Sequence, residues 1–241
     1  MDNFLTVSDA YIATLTTLLD LPDFLCSPRG QSCFEKMNYL FTVEQPTSGP
    51  IITMSQKRNV KLAEYLAVEE RLFLSGELRV SIWIEQASKF WAKLADSNGL
   101  ISSNYGWLTM YNKSLPDNKT PWEWAKTSLL KDPDSRQAFV RVSLPEHQWL
   151  KNKDQVCTMH VMFMLRENKL HATVVMRSND VVKGLVYDMP WWCRCLDMMV
   201  RELNGAGLKS SKGAYSHFIH SMHLYEKDIP IVLEMLGRKL G

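Results

Sequence analysis

The sequence predicts a mixed α+β fold, one β-sheet flanked by helices. Three observations carry that expectation. Segments with helical apolar spacing and segments with β-branched, strand-like character both occur along the chain. They do not follow the strict strand–helix–strand order of a doubly wound parallel sheet. Two strand-like segments, 155–165 and 169–177, flank Arg166-Glu167-Asn168, a turn that folds the second strand back on the first.

Taken in order, residues 7–19 read as a helix that Ser8 could cap. Ser27-Pro28-Arg29-Gly30 is a turn. Residues 60–74 have helical periodicity that ends near Gly76, and 82–94 read as a second helix carrying Trp83, Phe90 and Trp91. Residues 112–121 form a polar loop with two prolines, and 137–143 read as a strand. After the hairpin, Pro190 falls in the first turn of a helix running to about Leu203, which Asn204-Gly205-Ala206-Gly207 ends. Residues 215–224 read as a strand and 229–240 as a final helix. There is no internal repeat or long linker, so residues 1–241 are expected to form one domain with a sizeable core.

Composition excludes several function classes. A net charge of +2 offers no field that would draw nucleic acid or a membrane surface. No apolar run approaches the roughly 20 residues that cross a bilayer. The start, MDNFLTVSDAYIATL, has early acids and no basic region, so no signal peptide is expected. Five cysteines, 26, 33, 157, 193 and 195, are an odd number without a CxxC pair, which fits reduced thiols in a cytosolic protein. G-x-G-x-x-G, Walker A and G-x-S-x-G are absent.

Some side chains raise chemical questions. His217, His220 and His223 recur every three residues, but in a strand that spacing alternates faces, so no metal site is expected. Cys157 is either a small buried hydrophobe or a nucleophile, and the hairpin brings it near Arg177, which would favour a thiolate. Lys131-Asp132-Pro133-Asp134-Ser135-Arg136 is either a surface loop or an anion contact. Of Glu69 and Glu70, one is expected to face solvent and the other to be a partly buried acid or base. Phe90 and Trp91 read as core, or as a platform for a flat ligand. In MRSNDVVKGLVYD, 176–188, Asp188 stands among Leu185, Val186, Tyr187, Met189, Pro190, Trp191 and Trp192. Taken alone, it is an aspartate favoured by the dipole at a helix start.

Together KDPDSRQAFV, VCTMHVMFMLRENKLHATVVMRSNDVVKG and HLY at 223–225 resemble the thymidylate synthase family, and within it the phage deoxycytidylate hydroxymethylase branch. GLISSNYGW at 99–107 resembles the family's tyrosine-glycine segment and SPRG at 27–30 its phosphate loop; the likeness spans roughly residues 25 to 228. The resemblance implies a thymidylate synthase-like fold with a sheet face forming a homodimer interface. It implies 5,10-methylenetetrahydrofolate as co-substrate, no metal, and a cytoplasmic setting, the host's if the chain is phage-encoded. It makes Cys157 the nucleophile that adds to C6 of a pyrimidine, so that C5 attacks the one-carbon unit. Arg29, Arg177 and Ser178 match phosphate ligands, and Arg136 a phosphate arginine donated by the other subunit. His223 and Tyr225 match the pair on the deoxyribose hydroxyl. Glu69 matches the acid/base glutamate, Asp180 the pterin contact, and Trp91 and Tyr105 residues lining the folate and cysteine region. Gly184 is expected to let the ligands approach the backbone.

The departures from the family pattern carry information. Gln137 stands where a second arginine is usual, Val156 and Thr158 flank the cysteine in place of proline and histidine, and Ser221 replaces an acid. The tail GRKLG lacks the usual closing sequence. Asp188 replaces an asparagine that suits uracil. A carboxyl suits cytosine: it accepts from the exocyclic amine and, when protonated or facing a protonated N3, completes a second bond. The resemblance therefore implies dCMP as substrate and 5-hydroxymethyl-dCMP as product. A dCMP C5-methyltransferase, the same chemistry on dUMP or CMP, and an inactive nucleotide-binding protein are the alternatives.

Overall fold

The computed structural model describes residues 2–239. Eight strands form one sheet: β1 (Asp2–Phe4), β2 (Phe24–Cys26), β3 (Cys33–Val43), β4 (Phe139–Arg141), β5 (Thr158–Arg166), β6 (Lys169–Met176), β7 (Asn179–Asp180) and β8 (Ser211–Tyr225). Their order is β1-β3-β8-β6-β5-β4, with β2 beside β3 and β7 beside β8. β3 runs antiparallel to β8 while β6 and β7 run parallel to it, so the sheet is mixed as expected. The helices are α1 (Val7–Asp20), α2 (Gln56–Ser75), α3 (Val80–Gln86), α4 (Pro121–Lys131), α5 (Val186–Gly205) and α6 (Ile229–Met235).

The core lies between the helices and one sheet face. Val161, Phe163, Val174 and Met176 of the β5–β6 hairpin are buried on that face, as are Trp191, Leu196 and Met199 of α5. The hairpin turns on Glu167 and Asn168, both at positive φ, the conformation a two-residue turn between twisted strands demands. The opposite face carries Leu40, Met162, Met164, Val175 and Phe218, only half-buried in the single chain. Among the described residues no helix is long and apolar enough to cross a membrane.

Several expectations need correcting. Thr6, not Ser8, caps α1 in a reciprocal box with Asp9, while Ser8 accepts from the Ile52 amide. The segment 82–94 is not one helix: α3 stops at Gln86, because the Trp83 carbonyl takes both the Ala87 and Ser88 amides, and Ser88 then caps a short 3₁₀ turn, Lys89–Lys93. The loop 112–121 ends in α4, which Thr120 and Glu123 cap. The strand at 137–143 is confined to Phe139–Arg141, since Val142 and Ser143 both donate to the Met159 carbonyl. The final helix stops at Met235; Leu240, its expected end, lies outside the described residues.

Pro190 is likewise not in the first turn of its helix. Asp180 caps a wide turn, Val181–Leu185, through the amides of Val182 (2.8 Å) and Lys183 (3.0 Å), and α5 continues from Val186. Pro190 is the fifth residue of α5, where its ring removes one hydrogen bond to Val186. The aspartate at the helix start is thus Asp180, and Asp188 stands further in.

Candidate active site

Cys157 precedes β5 and is tied to Arg177, which follows β6, by one rung of the hairpin: the Arg177 amide donates to the Cys157 carbonyl at 2.9 Å. The Arg177 guanidinium turns back along that rung. Its Nε donates to the Val156 carbonyl (3.1 Å) and its Nη2 to the Gln155 carbonyl (2.5 Å), which sets Nη2 3.6 Å from Cys157 Sγ. Burial pushes the thiol up to about 11, Arg177 and Arg29 draw it back, and Asp188 and Asp154 push it further up. The resting thiol is therefore protonated at neutral pH and needs a proton acceptor to act as a nucleophile.

Two carboxyl groups complete the chamber around it. On α2 the inward positions Leu62, Leu66, Glu69 and Phe73 follow helical spacing, so Glu69 is carried inward with only 8% of its surface exposed. Burial and the neighbouring Asp188 push Glu69 up to about 8, with Tyr65 opposing through a hydrogen bond. Glu70 points elsewhere, towards Arg194, and its Oε1 is buried without a hydrogen-bond partner among the described residues. Asp188, 9% exposed, is pushed up to about 7 by burial, with the Asn179 amide opposing. The two acids therefore gain charge across the neutral range, which suits proton transfer.

Gly184 is crowded by the protein itself. A Cβ there would lie 2.1 Å from Asn179 Oδ1 and 3.2 Å from Asp188 Oδ2. Gly106 plays the matching part on the other wall, where a Cβ would meet the Phe73 carbonyl at 1.8 Å. That contact seats Tyr105 against Phe73 and Trp192, ring centroids 5.3 and 5.2 Å away. Buried Asp154 anchors the same segment by accepting from the Ser102 (2.7 Å) and Ser103 (2.9 Å) amides. Trp91 is buried against Trp83, with Nε1 donating to Tyr65 at 3.0 Å; Phe90 is the exposed ring beside it. Tyr65 opens onto a shallow depression of about 220 Å³ that Lys61, Val68 and Gln86 also line.

The sequence profile of the thymidylate synthase family matches residues 28–240. The chain belongs to the thymidylate synthase family. The deoxycytidylate 5-hydroxymethyltransferase of Enterobacteria phage T4 is 33% identical over 175 residues, 70% of each chain. The deoxyuridylate hydroxymethyltransferase of Bacillus phage SP01 is 26% identical over 227 residues, 90% of this chain and 57% of that one. The fold is that of thermostable thymidylate synthase A from Bacillus subtilis, with a TM-score of 0.71 at 18% identity, covering 96% of this chain and 84% of that one.

His223 pairs in register with Asp180 on one side and Glu35 on the other, and its ring meets Tyr225 edge-on at 5.1 Å. Burial lowers its pKa, with Asp180 opposing. Ser221, the residue in place of an acid, donates a short hydrogen bond to Glu35, so a carboxylate reaches that spot from β3 instead. Arg29 is exposed at φ 53°, and its charge acts on both Cys157 and His223. Ser178 is half-buried next to Arg177. Arg136 is exposed on the loop before β4.

His217, His220 and His223 have separate surroundings, beside Tyr215, Asn38 and Tyr225, and among the described residues no cluster could hold a metal ion. Asn179, Tyr65 and Glu35 were not foreseen from the sequence. Only Asn179 carried a signal, a polar residue inside the RSND motif beside the glycine it overhangs.

Proposed function

We propose that the chain transfers a one-carbon unit from 5,10-methylenetetrahydrofolate to C5 of dCMP and completes the reaction with water, giving 5-hydroxymethyl-dCMP and tetrahydrofolate. The observation that carries this reading is Asp188: a buried carboxyl with its pKa near neutrality, in the chamber shared by Cys157 and Glu69. As a carboxylate, Asp188 accepts from the cytosine amine and from a protonated N3, whereas uracil would set its 4-oxygen against a buried acceptor, a mismatch of about 1–3 kcal/mol. The likeness to the phage T4 deoxycytidylate enzyme supports the same substrate.

In this reading Cys157 Sγ adds to C6 as its proton passes to water, and C5 becomes nucleophilic and bonds to the one-carbon unit supplied by the folate. Loss of the C5 proton and of tetrahydrofolate gives an exocyclic methylene on the ring. Glu69, in its carboxylate form, takes a proton from water as its oxygen adds to that carbon, and the thiolate leaves C6. Arg177 stabilises the departing thiolate and, with Ser178 and Arg29, holds the phosphate, while His223 and Tyr225 meet the sugar. Two features support a folate on this wall: Asp180 caps through Oδ1, leaving Oδ2 to Lys183 (3.7 Å) and a ligand, and Phe90 exposes a ring beside Trp91. A second copy completes the phosphate site with Arg136, docked through the sheet face that bears Met162, Met164 and Phe218.

The deciding experiment is mass analysis of the product from purified protein, methylenetetrahydrofolate and either dCMP or dUMP. A gain of CH2O on dCMP supports the proposal. A gain of CH2 with the absorbance of dihydrofolate makes the chain a methyltransferase. Turnover of dUMP alone removes the base assignment and favours the chemistry named for the phage SP01 relative.

A further inference from the structure

Asn179 belongs to β7, where its backbone is pinned by parallel pairing with Met222 of β8. Its side chain is 2% exposed, and the amide is poorly served. Nδ2 points at Met176 Sδ (3.0 Å), a weak acceptor, and Oδ1 has no hydrogen-bond partner among the described residues. A buried amide kept half-satisfied costs the fold stability. The structure also reserves space for it: Gly184 lies under Oδ1, and the same glycine faces Asp188 Oδ2. Burial and the Asn179 amide are the two influences on Asp188.

We propose that Asn179 is a positioning residue for base choice: its amide fixes the rotation of the Asp188 carboxyl, so that the carboxyl presents its oxygens to the amine and ring nitrogen of cytosine. This rests on the dCMP reading given above. An amide suits the task where a lysine or arginine would not. A cation would hold Asp188 ionised, whereas an amide donates to a carboxylate through Nδ2 and, turned over, accepts from a carboxylic acid through Oδ1. Asp188 can then serve neutral cytosine as an acid or N3-protonated cytosine as a carboxylate, without losing its orientation.

The test compares wild type with Asn179→Leu, which removes the amide at nearly constant volume, and Asn179→Ser, which retains a group that both donates and accepts. Two readouts are taken: the ratio of kcat/KM for dCMP over dUMP, and the titration of Asp188 followed by its carboxyl ¹³C shift. In Asn179→Leu the ratio is expected to fall about tenfold, and the Asp188 titration to move to higher pH because burial acts unopposed. Asn179→Ser recovers part of both. An unchanged ratio and titration in Asn179→Leu overturns the proposal; should that variant not fold, Asn179→Ser is judged by the same two readouts against wild type. A wild-type enzyme that does not prefer dCMP overturns the base reading, and specificity through Asn179 falls with it. The titration separates the two failures, since it reports the Asn179–Asp188 coupling without any nucleotide.

Discussion

Glu69 and Asp188 are almost wholly buried, with pKa values pushed to about 8 and about 7. Arg29 and Arg136, by contrast, are exposed, on a turn and a loop. In the chamber, burial makes each proton and each hydrogen bond decisive, so one atom exchanged between a carboxyl and an amide can change the substrate. An exposed arginine can add only a screened attraction for an anion. Selectivity is therefore expected to reside in the buried end and affinity in the exposed end.

Substitutions can break that contrast, and the buried end should give the largest losses. Cys157→Ala is expected to lower turnover by about 10⁴-fold or more, while dCMP binding measured by calorimetry stays within a fewfold of wild type. Asp188→Asn should shift the kcat/KM ratio from dCMP towards dUMP by about 100-fold, two buried mismatches' worth. Arg136→Ala should weaken dCMP turnover about tenfold or more. Mixing it with Cys157→Ala after reversible dissociation should restore activity to about one quarter of wild type, since half the dimers then carry one complete site; no recovery would deny the shared site. Arg29→Ala should raise KM by about tenfold with kcat little changed, in a salt-dependent manner. The smallest effect is on stability. The folded pKa of Asp188 exceeds the unfolded value, so stability is lost as pH rises from about 4 to about 7. Asp188→Asn should therefore raise Tm by about 5 °C at pH 8 and by nothing near pH 4, as calorimetric scans would show.

The hairpin was legible in the sequence because its logic is local: two alternating segments, a turn of residues that accept positive φ, and a fixed interval from Cys157 to Arg177. β3 was not, since CFEKMNYLFTV interrupts its alternation with Glu35, Lys36 and Asn38, and Asn38 sits at φ 53°. α4 was hidden by Pro116 before it and Pro121 at its first position, although Thr120 and Glu123 spelled a capping box. Placing Asp188 in the chamber depended on how far the helix had already advanced, and that followed from Asp180 capping two amides, which residue spacing alone does not fix. The choice between Glu69 and Glu70 required knowing which face of α2 meets α5. Asn179 escaped notice because its significance lies in what it leaves unbonded.

The rung joining Cys157 to Arg177 also sets a timetable. A two-residue turn closes early: isolated hairpins form in about 1–10 μs, whereas β8 must return across the whole of α5 before it can pair with β6. The Cys157 thiol and the Arg177 guanidinium are thus brought together by short-range contacts, ahead of the long-range pairing of β6 with β8. The Arg177 amide, on that rung, should be among the last to exchange with deuterium when the native protein opens locally.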